Sequence, residues 1–502
     1  MKNFQRLLAL GLLVAGLCSC NQLGWLTGSC RGSLEERGDY YLNMFSRNLM
    51  QTTYLWRDEV FPDLAAWDMQ ADPYAQVLGA RYHDAAGNEV DRWTQMAPNY
   101  DSFVNLVNGV SLATFGMEMQ LMYADERKAE VVATVLFTYE GGPARAAGLK
   151  RGDVIVQVNG VTMTPDNYAD VLTEGLTGGE SVSLTLKDGR RLSLSAAYMY
   201  ENPVGQVRIF DCGGRKAGYL FYSSFTIESC NELISICRDF RNAGVTDLIL
   251  DLRYNTGGYV LTEEVLASLI APEASVRAGE LLSIDIYNDL VMEILAENGQ
   301  QTRSYFQQDF DVEFEHGDHY RFNTAGANVG CQRVIALVGP NTASASEALL
   351  CVLKPYMPVY LIGTKTHGKF CGGTVNSSAD YFKDAQESGT ITAAEAKEVQ
   401  KCMPNAALYL MVSRYADKNG VTLSMPDGMT PDVVLEDNPN DGAQLGDADE
   451  TLLARALAMC GYRPAKTAAR RGVQPQQRLE PVPGAPARGG AGYRILSANP
   501  AK

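Results

Sequence analysis

Histidine is scarce in this chain, with four in 502 residues, and none of the four stands where imidazole chemistry needs it. His316 and His319 form an H-x-x-H inside an acidic stretch, but no third ligand follows at a zinc-like spacing, so no metal site is expected. His367 has no aspartate placed to orient it, as a Ser-His-Asp arrangement would require. The eleven cysteines contain no C-x-x-C pair, and the chain has neither a G-x-S-x-G elbow nor a G-x-x-x-x-G-K-[ST] loop. Zinc-ribbon, hydrolase-elbow and nucleotide-binding readings thereby lose their main support. Basic charge is also short: 43 Lys and Arg stand against 59 Asp and Glu, for a net charge of −16 and a pI near 4.8. No basic face is concentrated anywhere, so nucleic acid is not an expected partner. Internal repeats are absent.

What is present fits a large globular protein. At 502 residues the chain exceeds the size at which one core stops growing, and two or three folded units with tails are expected. An apolar fraction of 46% and a charged fraction of 20% sit near the globular average. The N-terminus reads Lys2 and Arg6, then an apolar run over 7–17, then Cys18-Ser19-Cys20. That run is too short for a lasting membrane span and reads as a secretory signal over 1–20. Leu17 three residues before Cys20, with Ser19 just before it, resembles a bacterial lipobox, which implies lipidation of Cys20 and a membrane anchor without a spanning helix. Nine cysteines remain after Cys18 and Cys20, an odd number from which no bridge map is drawn. Cys230, Cys237 and Cys351 lie on apolar helix faces and read as core residues.

Past a linker at 21–33, residues 34–110 carry aromatic and apolar residues at helical spacing and read as an N-terminal helical domain. Residues 111–200 turn to short β-branched runs separated by glycine turns, a compact mixed domain. From 205 to 465 strands and helices alternate, as in a layered α/β core. A hairpin is expected over 207–210 and 219–222, a helix facing the core through Ile227, Cys230, Leu233, Ile234, Cys237 and Phe240, and a buried strand over 245–252. A strand at 334–338, a helix at 344–354 and a strand at 359–362 follow. The polar stretches 271–330 and 376–402 read as excursions from that core. Residues 466–502, rich in Pro, Gly, Ala and Arg, read as a disordered tail.

Three segments carry chemistry. In 140–160 the string Pro143-Ala144, Ala147-Gly148-Leu149, Gly152-Asp153 and Val158-Asn159-Gly160 closely resembles the PDZ domain of envelope proteases. Such a domain adds an extended peptide to a sheet edge and captures its terminal carboxylate on loop amides, a loop that would fall at Phe115-Gly116-Met117-Glu118. The second segment, 247–258, is a buried strand stopping at Gly257-Gly258, where amides without a neighbouring Cβ can approach an oxyanion; alone, it fits a turn equally well. In the third, Ser344 stands where a strand turns into a helix, at the favourable end of the helix dipole, although Ser344-Ala345-Ser346-Glu347 also fits a helix capping box.

Taken together, the Gly-Gly strand end, the Ala-Ser-Ala-Ser-Glu turn and a Gly-Lys placing Lys369 25 positions after Ser344 resemble the carboxy-terminal processing, or tail-specific, proteases. The resemblance runs over about 34–434 and ends in a Gly-Met-Thr-Pro-Asp-Val at 428–433. It implies a ClpP/crotonase-like α/β core, no cofactor, and a serine endopeptidase in which Ser344 attacks, Lys369 is the general base, and Gly257 or Gly258 with Ala345 holds the oxyanion. It also implies action on unstructured peptide or protein C-termini in the bacterial envelope, facing the periplasm. A free lysine titrates near 10.4, so this role demands an enclosed cleft that destabilises the charged amine by about 4 kcal/mol. Phe370 and Cys371 are compatible with such a cleft. In many family members a glutamine four residues after the lysine orients the dyad; here that place is Gly373, and Thr374 is the nearest polar substitute. The glycine also motivates a rival reading, a catalytically weak or inactive peptide-binding lipoprotein that keeps the fold, and His367 is the rival base.

Overall fold

A computed structural model describes residues 33–107, 113–177, 179–313, 319–463 and 480–482. The expected signal and Cys20, and also His316, lie outside them. Helix Leu34–Thr52 (α1) begins at a reciprocal cap: the Ser33 hydroxyl accepts from the Glu36 amide at 3.2 Å, and the Glu36 carboxylate accepts from the Ser33 amide at 2.7 Å. Its inward stripe, Leu42, Phe45, Leu49 and Met50, packs with Tyr54, Trp56 and Trp67. This helical unit does not close a core of its own. The same apolar cluster takes in Val291 and Leu295 from one expected excursion, and Phe382, Ala396 and Val399 from the other. Strand Gln95–Ala97 (β1) pairs antiparallel with residues 407–409. The N-terminal helices and both excursions are therefore one body, because a one-faced helix must bury its stripe against some partner and periodicity does not say which.

Next comes a small antiparallel sheet. Strands Met117–Tyr123 (β2), Val131–Thr138 (β3), Val154–Val158 (β4), Ser181–Leu186 and Arg191–Ser195 stand in that order, and Val161–Thr162 (β5) pairs with β4. With these ranges, Ser181–Leu186 is β6 and Arg191–Ser195 is β7. Helix Tyr168–Leu172 (α2) flanks this sheet, and β2 is its edge strand.

The larger core follows. Val204–Asp211 (β8) and Lys216–Tyr222 (β9) form the expected hairpin around Gly213-Gly214. Cys230–Ala243 (α3) buries Cys230, Leu233, Ile234, Cys237 and Phe240, the stripe read from its spacing. Strand Asp247–Asp251 (β10) and helix Val260–Ile270 (α4) come next. The chain then leaves through Leu281–Tyr287 (β11), Arg303–Tyr305 (β12) and the hairpin Asp309–Glu313 (β13) with His319–Asn323 (β14). It returns as Arg333–Val338 (β15), helix Ala345–Leu353 (α5) and Val359–Gly363 (β16). Cys371–Ser377 (β17), helices Ser378–Glu387 (α6) and Ala393–Cys402 (α7), Ala407–Ala416 (β18), Val433–Val434 (β19) and helix Thr451–Met459 (α8) complete it.

Two sheets result. In the first, ordered β19-β16-β15-β10-β9-β8, all neighbours are parallel except the β8–β9 hairpin. In the second, β18 is flanked by β1 and β11 on one edge and by β17 on the other. The first sheet is covered on both faces, and alternate residues of one strand feed two cores. Leu248 and Leu250 join α3, α4 and α5, whereas Ile249 joins Leu452, Leu453 and Ala456 of α8. All eight cysteines among the described residues are free thiols, and Cys230, Cys237 and Cys351 are core residues as expected. Among the described residues no helix is long and apolar enough to cross a membrane.

Most of the expected tail lies outside the described residues, and three of its residues differ from the expectation. Residues 480–482 are not loose but pair with the edge of β2. An edge strand carries a row of unpaired N–H and C=O groups, and an extended segment can satisfy them whatever its composition suggests.

Behind β10 lies a buried ionic cluster. The Arg253 guanidinium, 1% exposed, pairs with Asp251 at 2.8 Å, Glu450 at 2.7 Å and Asp437 at 2.8 Å. Asp437 also receives Arg151 of the small domain at 2.6 Å. Burial pushes the Asp437 carboxyl up, but Arg151 and Arg253 overcome it and hold it at about 2. Stability from this group is therefore complete above the unfolded aspartate value near 3.9 and is lost as pH falls toward 2. Arg253→Ala leaves Asp251 and Glu450 buried without their cation, and a loss of about 3–5 kcal/mol is expected in urea unfolding at neutral pH.

Candidate active site

The segments of Gly257-Gly258, Ser344 and Lys369 meet because each follows one of three adjacent parallel strands, β10, β15 and β16, with β15 in the middle. The carboxyl ends of such strands form the usual crevice of an open α/β sheet. Hydrogen bonds zip the loops together. The Thr342 hydroxyl donates to the Leu252 carbonyl at 2.8 Å, the Ala343 amide to the Asn255 carbonyl at 3.1 Å, and the His367 amide to the Thr342 carbonyl at 2.9 Å.

Ser344 is half-buried at the head of α5, with φ 55° and ψ −119°. This is a strained backbone for a serine, of a kind that costs about 1–3 kcal/mol and persists only where its surroundings enforce it. The enforcing group is Glu347, fully buried one turn on. Its Oε2 accepts from the Ser344 amide at 3.2 Å and from the Lys369 amide at 2.8 Å. Its Oε1 accepts from the Gly368 amide at 2.9 Å and from the Thr366 hydroxyl. Two amide nitrogens at 3.2 Å and 2.8 Å from one oxygen are no more than about 6 Å apart, so the backbones of Ser344 and Lys369 are clamped side by side. Burial raises the Glu347 carboxyl above its ordinary range, and these donors pull it back. The capping-box expectation thus holds for the reach of Glu347 to the Ser344 amide, but the same carboxylate also grips the next loop.

Gly257 packs directly against the serine: a Cβ there would lie 2.7 Å from the Ser344 Cβ and 3.0 Å from the Ala345 nitrogen. No other residue fits this approach. The Gly257 amide, however, donates to Asn255 Oδ1 at 2.8 Å and is not directed at a ligand. Gly258 is exposed, and among the described residues neither its amide nor that of Ala345 meets an acceptor. Of the three positions expected at an oxyanion, Gly258 and Ala345 have amides available, while Gly257 supplies the room.

Lys369 is half-buried, and its amine meets the Tyr409 hydroxyl on β18 at 2.9 Å. Phe370 and Cys371 beside it are buried. Gly373 is the register position at which a side chain is excluded: a Cβ would meet Met411 Cε at 2.2 Å and the Tyr409 ring at 2.8 Å. Tyr409 occupies the space a larger residue at 373 would need and makes the polar contact to the lysine itself. Thr374 does not do so; its hydroxyl accepts from Asn376 at 2.8 Å. His367 faces the Pro340 carbonyl through Nδ1 at 3.3 Å, and burial together with Arg92 and Lys369 lowers its affinity for a proton.

The expected peptide loop sits at the start of β2. Phe115, Met117 and Glu118 are buried, and the Gly116 amide donates to the Thr114 hydroxyl at 3.0 Å. The Gly116 carbonyl accepts from the Tyr139 amide at 3.0 Å, and Glu118 accepts from the Tyr139 hydroxyl at 2.9 Å. His319 pairs with Asp311 across the β13–β14 hairpin. Sequence reasoning missed Asn255, Thr366 and Tyr409. Asn255, two residues before Gly257, carries the local signal of an Asx turn. Tyr409, 40 positions from the lysine it touches, carries none.

Comparisons with known proteins agree with this architecture. Residues 216–435 match the model of peptidase family S41, and residues 138–188 match a PDZ domain model. A carboxyl-terminal-processing protease of Picosynechococcus is 23% identical over 47% of this chain and 51% of its own length. A carboxy-terminal processing protease of Bacillus subtilis, CtpB, is 25% identical over 49% of this chain and 45% of its own. The chain spans about half the length of the curated relatives it matches. Among solved structures, a putative S41 protease from Bacteroides fragilis aligns with a TM-score of 0.59 at 22% identity, covering 83% of this chain and 96% of its own, which supports the fold. The α/β core carries the match to the peptidase family S41 model and the PDZ match lies ahead of it, so over these residues the chain is similar to the carboxyl-terminal-processing proteases.

Proposed function

We propose that the chain is a serine endopeptidase that cuts unstructured peptide or protein tails, with Ser344 as nucleophile and Lys369 as general base. The observation that carries this reading is the shared Glu347 carboxylate, which ties the strained serine backbone to that of the lysine. In the reaction, Ser344 Oγ attacks the scissile carbonyl carbon while its proton passes to the Lys369 amine. The carbonyl oxygen, now an oxyanion, takes the amides of Gly258 and Ala345. Lys369 returns the proton to the leaving amine, giving an acyl-serine and the released fragment. Water then attacks the acyl carbon, giving its proton to Lys369, and the serine is regenerated. Lys369 must be uncharged at the moment of attack, and a half-buried position beside buried Phe370 is the kind of surrounding that requirement calls for.

The rival, an inactive peptide-binding lipoprotein, drew its motive from Gly373, and the contact from Tyr409 to the lysine weakens that motive. The site of action in this proposal is the bacterial envelope, with lipid on Cys20 holding the protein to a membrane on the periplasmic side.

Purified protein incubated with an unfolded substrate should release fragments, and both Ser344→Ala and Lys369→Ala should lower the rate at least about a thousandfold with melting temperature little changed. Full activity in Lys369→Ala would move the base to His367. Tyr409→Phe keeps the ring and deletes the contact to the amine, so kcat should fall about tenfold to a hundredfold with KM nearly constant and the pH–rate profile displaced. A Tyr409→Phe enzyme with an unchanged profile would make the tyrosine mere packing. Cys20→Ala should move the protein from the membrane to the soluble fraction on cell fractionation.

A further inference from the structure

The edge of β2 in the PDZ domain is covered by this chain's own tail. The Tyr123 amide donates to the Glu480 carbonyl at 2.8 Å, and the Val482 amide donates to the Leu121 carbonyl at 3.1 Å, bracketing an antiparallel pair of Met122 with Pro481. Pro481 stands at the position whose nitrogen this pairing does not use, so its missing N–H costs no ladder bond. Outward, the same proline offers no donor to a further strand. Val482, 8% exposed, joins the apolar cluster of Met119, Leu121 and Val131, against which Tyr168, Val171 and Leu172 of α2 also pack. Lys128 pairs with Glu480 at 2.7 Å, but both side chains are exposed and the pair adds little.

We propose that residues 480–482 are a tethered ligand of the PDZ groove, which an incoming peptide must displace before it can dock along β2. The inference rests on the reading of this groove as the docking site of the peptidase. The docked segment runs on through Pro483, so it is held as an internal strand and not by a terminal carboxylate. That mode matches the loop at 115–118, where the Gly116 amide is already given to Thr114. The groove is therefore assigned to extended internal segments with a β-branched apolar residue at the Val482 place. A segment on the same chain competes at an effective concentration on the order of 1 mM, so even an occupant with an intrinsic Kd of about 0.1 mM weakens a free peptide about tenfold.

The test uses the full chain and a fluorescent peptide with the sequence of residues 478–484, its binding followed by anisotropy. Val482→Asp should bind this peptide about tenfold more tightly than the wild type, and Glu480→Pro, which places a second proline in the strand without altering the groove, should do likewise. Peptides ending in carboxylate or in amide should bind Val482→Asp within about twofold of each other. Equal affinity of the wild type and both variants overturns the tethered ligand, and a tenfold preference for the carboxylate overturns the internal mode. Cleavage of an unfolded protein, read in the same preparations, separates the two layers. An affinity difference without cleavage in any preparation leaves the tail inference standing and removes the peptidase reading; cleavage with no affinity difference does the reverse.

Discussion

One buried carboxylate organises the site. Glu347 sits where burial alone would be unfavourable for a charged group, and it is tolerated because donors from two loops converge on it. Those donors come from the turn after β15 and the segment after β16, so the bonds that satisfy the glutamate also fix the spacing between Ser344 and Lys369. The unusual backbone of Ser344 follows from the same constraint, because its amide must turn toward Glu347 while Gly257 presses against its Cβ. Packing from one side and hydrogen bonding from the other leave the serine a single arrangement.

The second sheet completes what the first begins. Lys369 lies just before β17, and its amine is met from β18, a strand whose other edge is held by β1 and β11. The N-terminal helices bury their apolar stripe against the segments framing β17 and β18. They contribute to the site without touching it, by fixing the strand that carries Tyr409. With no side chain at Gly373 on β17, the polar contact to the lysine comes from Tyr409 on the neighbouring strand β18.

Much of this was legible in the residues. The hairpin around Gly213-Gly214, the stripe of α3 and the apolar run of β10 follow from periods that burial on one or both faces imposes on a chain. The three segments of the site were recognisable because close backbone approach and a strand-to-helix turn demand particular residues at short spacing. What was hidden depends on pairs far apart in sequence. Tyr409 and Lys369 meet across a sheet register, the apolar face of α1 could have been buried by any partner, and a Pro-rich tail gives no sign that three of its residues complete an edge strand. Composition reports what a segment can do alone; it does not report which unpaired edge another domain leaves open.

The two attachments of the PDZ domain differ in kind, and the difference orders what can move. Arg151 is buried and bound to Asp437 within the same ionic cluster that holds Arg253, so separating the domain from the core there exposes several charges at once to an incomplete set of partners. The tail on β2 is held by two backbone hydrogen bonds, one small apolar side chain and an exposed ion pair. Net hydrogen-bond contributions of about 1 kcal/mol each and partial burial of a valine give an interaction that a modest ligand can replace. Release of the tail therefore requires far less free energy than release of the domain, and peptide exchange at β2 can proceed while the loops of the candidate site and the cluster behind β10 stay in place.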